Sequence, residues 1–233
     1  MSYTSENPYV VADADASDRA AFIRRTYLHL AGAILAFVSL EAVLLNTPGV
    51  DRLVRSMTGG MSWLLVLAAF MAVSWIADKL ARSDAAPSLQ YLGLGLFVAA
   101  EAVIFLPLLL IAANRSDPTI IPMAGIITGL LFAGLTATAF ITRKDFSFLG
   151  SILTIGGFIA MGVVVCSMIF GFNLGLFFAS VMVFFAAGSI LYTTSNIMLH
   201  YRTNQHVAAS LALFSGVMLL FWYVLRILME SRR

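Results

Sequence analysis

Apolar and polar positions do not alternate along this chain. They separate into long apolar runs divided by short polar connectors. Seven runs, at about 26–46, 62–78, 89–113, 119–141, 149–170, 173–195 and 207–229, are close to the ~20 residues that cross a ~30 Å hydrocarbon core. The connectors PGVDRLVRSMTGG, DKLARSDAAPS, NRSDP, TRKDFS and HYRTNQH hold half of the charged residues. Only FGFN separates the fifth run from the sixth, which predicts a tight hairpin there. A six-crossing arrangement, in which the short run 62–78 stops part-way, is the alternative to seven. Strands of a membrane barrel alternate apolar and polar residues, so unbroken runs exclude a barrel. Lipid offers no partner to an unpaired backbone group, so the runs must be helices. The expected fold is all-α: a polytopic membrane protein with a seven-helix transmembrane domain over 21–233. A polar, disordered cytoplasmic tail over 1–20 precedes it.

Composition agrees, with 61% hydrophobic and 11% charged residues against roughly 25% charged in soluble domains. The bilayer is the first partner. A net charge of +2 spread over the ends of the runs gives no reason to expect a nucleic-acid partner. The first 25 residues, MSYTSENPYVVADADASDRAAFIRR, lack the apolar core and small-residue cleavage site of a secretory signal. The first run therefore reads as an uncleaved anchor. The single Cys166 excludes an internal disulfide and reads as packing.

Charge also bears on orientation. The N-terminal side carries eight Lys and Arg residues: Arg19, Arg24, Arg25, Lys79, Arg82, Arg143, Lys144 and Arg202. The other side carries six: Arg52, Arg55, Arg115, Arg226, Arg232 and Arg233. Cytoplasmic loops hold the excess of positive charge, which places the N-terminus in the cytoplasm and, after seven crossings, the C-terminus outside. Trp63, Trp75, Tyr91, Tyr192, Tyr201 and Trp222 fall near the ends of the runs, as an aromatic belt does. Small residues at i, i+4 spacing let membrane helices approach closely. Gly125, Gly129, Ala133 and Ala137 form such a ladder, with shorter ones at Gly32/Ala36 and Gly156/Ala160, and all three read as contacts inside one bundle. Pro107 and Pro122 mark a kink or a helix start.

Three charges lie within the runs: Glu41, Glu101 and Arg226. An ionised acid at mid-bilayer costs at least ~2.5–3.5 kcal/mol on insertion scales. Glu101, near the middle of GLGLFVAAEAVIFLPLLLIA, is therefore expected to face the bundle interior, toward a polar path or a cation such as Arg226. A buried ion pair, snorkelling of Arg226 alone and an ion path are the readings. A second polar stripe, Ser189, Thr193 and Asn196, shares one helix face, and its hydroxyls either bond their own backbone or line a path. His200 and His206 without a third ligand do not make a metal site. No nucleophile elbow, phosphate loop, zincin helix or cysteine cluster is present in the sequence, so neither an enzyme nor a cofactor is expected.

Four stretches carry a resemblance: FIRRTYLHLAGAIL (22–35), GLTATAFITRKDFSFLGSIL (134–153), GSILYTTSN (188–196) and SLALFSGVMLLFWYVLRIL (210–228). Together they resemble the Bax inhibitor-1 family, the transmembrane Bax-inhibitor-motif group, in its bacterial branch. The resemblance implies six helices around a central last helix, a cytoplasmic N-terminus and a multi-pass location in the bacterial inner membrane. It also implies a pH-sensitive calcium leak gated by two aspartates. The positions matching those aspartates are Thr193 and Gly216, which cannot ionise, so the resemblance implies a cation leak (Ca²⁺ or H⁺) without the usual di-aspartate gate. Glu101 with Glu41 would supply the acids, modulated by Arg226. The alternative is a non-conducting membrane regulator that binds other membrane proteins, such as a quality-control protease, through its N-terminal tail and the TRKDFS loop.

Overall fold

The structure, a computed structural model, describes residues 10–59, 61–83, 86–115, 117 and 119–231. Helices occupy almost all of it: α1 (Ala16–Leu45), α2 (Val50–Thr58), α3 (Ser62–Ala81), α4 (Pro87–Arg115), α5 (Ile120–Thr142), α6 (Leu149–Phe170), α7 (Gly175–Leu199) and α8 (His206–Ser231). Seven of them, all but α2, are long and apolar enough to cross a membrane. The single extended feature among the described residues is an isolated antiparallel bridge, Val10 to Arg202.

The connector read as PGVDRLVRSMTGG contains an element of its own. Val50, Val54 and Met57 recur at i, i+4, i+7 and are buried, while Asp51, Arg52 and Arg55 point outward. That face packs on Leu44, Leu45, Leu106 and Leu110, which lays α2 across the end of the bundle. The FGFN hairpin forms as expected. Gly171 takes the left-handed conformation that ends α6 (φ +73°), where a side chain would strain the backbone. The Asn173 side-chain oxygen then accepts from the Gly175 N–H at 3.0 Å.

Three expectations need correction. The tail boundary at residue 20 is too late, because α1 begins at Ala16 and the chain is already held from Val10. Val11 is fully buried, its N–H donates to the Tyr201 carbonyl at 2.9 Å, and Arg19 donates to the carbonyls of Val11, Ala12 and Ala14. At 30 residues, α1 is about 45 Å long and outruns the hydrocarbon core, so hydropathy located its membrane section but not its start. Residues 1–9 and Arg232 and Arg233 lie outside the described residues. The small-residue ladder is the second correction. Gly125, Gly129, Ala133 and Ala137 are exposed, and α5 turns Ile120, Ala124, Thr128 and Ala139 inward instead. Gly32 and Ala36 also face out, whereas Gly156 packs on the Phe185 ring. The tightest approach is elsewhere: a Cβ on Gly93 would lie 2.5 Å from the Ala77 carbonyl oxygen, so α4 meets α3 backbone to backbone. Cys166 is exposed on α6 rather than packed.

Helix α8 is the axis of the bundle. It packs on α1, α3, α4, α5 and α7, while α6 leans chiefly on α7. Rings knit the centre: Phe214 meets Phe37 and Phe97, and Phe105 meets Phe37, Phe221 and Trp222. Helices α3 and α6 make at most slight contact with each other, and a cleft lies between them.

Candidate functional site: two cavities at opposite ends of the central helix

The α3–α6 cleft is a cavity of about 720 Å³ floored by α4, α7 and α8. Glu101 and Arg226 both line it. Glu101 is 6% exposed, so the expectation that it turns inward holds. The expected pairing does not form, since no oxygen of Glu101 comes within 4 Å of the Arg226 guanidinium. The one ion pair among the described residues is Arg82–Asp78, on the surface at 2.9 Å. Along α8 the lining runs from Ser215 to Arg226, about 16 Å at 1.5 Å per residue, so the two charges sit toward opposite ends. Arg226 is half-buried near the rim that Trp63 and Trp222 share. Hydroxyls of Ser74, Ser167 and Ser215 add polarity, and methionines and rings form the rest of the walls.

Glu41 is buried at 4% exposure but does not line this cavity, and neither carboxyl oxygen has a hydrogen-bond partner. The three charges expected together are therefore two on one cavity and one apart.

A second cavity, of about 470 Å³, lies at the other end of the bundle, under the loops before α4, α6 and α8. Arg82, Ser147, Tyr192, Thr193, Asn196, His200, Tyr201 and Gln205 line it, and it reaches Ala212 on α8. Thr193 and Asn196 of the expected stripe face it, whereas Ser189 stays half-buried away from it. Tyr201 is held as the neutral phenol, its pKa raised by burial. On most exposed helix faces the hydroxyls do bond their own backbone, as Thr138, Thr154 and Ser180 do. The inner end of α7 behaves differently. Ser195 is fully buried, accepts from the Phe146 N–H at 3.0 Å and donates to the Lys144 carbonyl at 3.2 Å, which ties the TRKDFS turn to α7.

Of the two positions singled out in the sequence, Thr193 lines the second cavity and Gly216 sits beside Ser215 of the first. Ala212 lines one cavity and Ser215 the other, a separation of ~4.5 Å along the helix axis. Gly216 is buried there, and a Cβ on it would meet Ile190 Cγ1 at 3.1 Å. Ile190 is itself fully buried. Where the resemblance implies two carboxyls, this chain has a packed Ile190–Gly216 contact with Thr193 one turn away.

Sequence reasoning passed over two groups. Ser195 follows the stripe by one residue but faces the turn. Tyr27, Thr136 and Thr194, from α1, α5 and α7, bring buried hydroxyls together without a hydrogen bond of standard geometry. Single hydroxyls in three separate runs leave no linear signal. Among the described residues no cluster of three or more His, Cys, Asp or Glu side chains could hold a metal.

The chain is 36% identical over 110 residues to an uncharacterized protein of Pseudomonas aeruginosa, covering 47% of this chain and 49% of that one. It is 31% identical over 118 residues to an uncharacterized membrane protein of Vibrio cholerae, covering 50% of this chain and 52% of that one. The chain thus spans about half the length of these two relatives. Bax inhibitor 1 of Schizosaccharomyces pombe is 27% identical over 237 positions, covering 96% of this chain and 85% of the yeast protein. The sequence model of the family described as inhibitor of apoptosis-promoting Bax1 matches residues 19–233, nearly the whole helical domain, and the chain belongs to that family.

Proposed function

We propose that the protein is a proton-selective cation leak, closed in this conformation, in a bacterial inner membrane with its N-terminus cytoplasmic. What supports this reading is that the two cavities reach Ala212 and Ser215, within one turn of α8, and that Ile190 packs on the neighbouring Gly216, where we place the constriction. The α2-side cavity has one carboxylate in its lining, Glu101, and the opposite cavity has none. Ca²⁺ takes six to eight oxygen ligands and binds tightly only where several carboxylates converge. One carboxyl with scattered hydroxyls suits a proton better than Ca²⁺. Arg226 near the rim opposes entry of a divalent cation more than of a proton, because Coulomb repulsion scales with charge.

Purified protein in liposomes loaded with a pH-sensitive dye tests the reading. Glu101→Gln should slow proton flux severalfold, and Ile190→Ala should raise it by removing the constriction. Flux indistinguishable from empty liposomes in both the parent and Ile190→Ala would overturn it.

The exposed run Arg143, Lys144 and Asp145 favours a second reading, a non-conducting regulator of other membrane proteins such as a quality-control protease. Residues 10–15 are not a free handle for such a partner, because the Tyr201–Arg202 segment and Arg19 already hold them. Substituting Arg143 and Lys144 with Ser should then abolish co-purification of the partner, and capture unaffected by that change would dismiss this reading.

A further inference from the structure

We propose that the cleft between α3 and α6 is a binding site for a single-chain anionic amphiphile, a long-chain fatty acid whose carboxylate pairs with Arg226. Its shape is the first argument. The lining spans twelve residues along α3, from Trp63 to Ser74, and twelve along α8, from Ser215 to Arg226. Each distance is about 16 Å, half of a ~30 Å hydrocarbon core, so the cleft has the depth of one leaflet. Its volume of about 720 Å³ lies within the ~300–1,000 Å³ of sites that enclose small ligands. The flanking helices α3 and α6 make at most slight contact with each other, and an acyl chain from the bilayer enters between them.

The walls suit a chain. Met71, Met161, Met168 and Met218 face the space from three helices, and unbranched thioethers adapt to a flexible apolar guest. Charge complementarity then selects the headgroup. Arg226 is a half-buried cation that makes no ion pair within 4 Å among the described residues, and it lines the same cleft as Trp222 and Trp63. A guanidinium presents a planar fork that a carboxylate matches with two parallel hydrogen bonds. One cation and one leaflet-deep groove call for one anionic head and one chain. Glu101 at the closed end bounds the chain, which must stop short of that carboxyl. Binding of this kind does not depend on the leak reading and is measured without flux.

The tryptophans supply the readout, since Trp63 and Trp222 line the cleft while Trp75 is 61% exposed on α3. In a Trp75→Phe background in detergent, a dibrominated stearic acid should quench the remaining fluorescence saturably. Arg226→Gln should weaken that binding by about tenfold, as loss of a charge-assisted pair does. The methyl ester of the same acid should quench only in proportion to its concentration. Saturable quenching by the ester equal to that by the acid would overturn the proposal, and so would binding unchanged by Arg226→Gln. The ester comparison leaves Arg226 in place, so it decides even where the variant fails to fold. Saturable quenching by a dibrominated phosphatidylglycerol that the fatty acid cannot displace would assign the cleft to diacyl lipid and likewise overturn it.

Discussion

Helices α6 and α8 are both long, apolar and able to span a bilayer, yet they occupy opposite environments. Fifteen of the 26 residues of α8 are buried, and none of the 22 residues of α6 is. Hydropathy cannot separate them, because lipid tails are as apolar as leucine and give a greasy helix no reason to seek the centre. What separates them is what their side chains can pack against. Helix α8 offers large rings that interlock with α1 and α4, and Gly216, onto which Ile190 of α7 fits. Helix α6 presents Ile155, Phe158 and Ile159 outward, and Thr154 and Ser167 bond their own helix. A peripheral helix of this kind can border a cleft without closing it, and that is how the Glu101 cavity stays open on one side.

The contrast breaks most sharply on matched substitutions. Phe214→Ala in α8 should cost about 3–5 kcal/mol, the range for deleting a buried ring. Phe158→Ala in α6, a ring 78% exposed, should stay within about 0.5 kcal/mol of the parent. Unfolding in mixed micelles measures both, and equal costs would erase the distinction between the helices. A smaller effect separates two glycines. Gly93→Ala forces a Cβ against the α3 backbone and should cost about 1–3 kcal/mol through overpacking. Gly125→Ala enters open space and should leave the thermal midpoint unchanged.

The smallest effect concerns pH. The Asp145 carboxylate accepts from the Ser147 N–H at 2.8 Å, which holds its pKa below the ordinary carboxylate value. A depressed pKa contributes stability above the unfolded value and loses it as pH falls through the folded one. Asp145→Ala should therefore loosen the turn before α6 slightly at neutral pH and match the parent in strong acid. Amide hydrogen exchange at Ser147 across that range checks the sign.

Much of the fold was legible because membrane crossing is written in run length. The seven spans and the FGFN hairpin depend only on apolar length and on residues that tolerate a tight turn. The start of α1 was not legible, because a helix that continues into water sheds its hydropathy signal while keeping its backbone bonds. Helix α2 was passed over although Val50, Val54 and Met57 carry its spacing, because a nine-residue amphipathic element is short beside the runs around it. The Gly125–Ala137 ladder misled for a physical reason: small residues permit close approach but do not compel it, and α5 found its neighbours with Ala124 and Thr128. At the site, the inward turn of Glu101 followed from the cost of an acid in lipid. Its distance from Arg226 did not, because nothing in two separate runs fixes their relative height. Gly216 was marked as a missing acid, and only the packed bundle gives it a role, as the seat of Ile190.

On the leak reading, the cavity at Thr193 and the cavity at Ser215 open to opposite faces of the membrane and are separated by the Ile190–Gly216 contact. Single cysteines at Ser215 and at Thr193, each in a Cys166→Ala background, test it directly in sealed, oriented vesicles with a membrane-impermeant thiol reagent. Thr193→Cys should react only from the N-terminal face and Ser215→Cys only from the α2 face. Reaction of both from the same face would contradict the account.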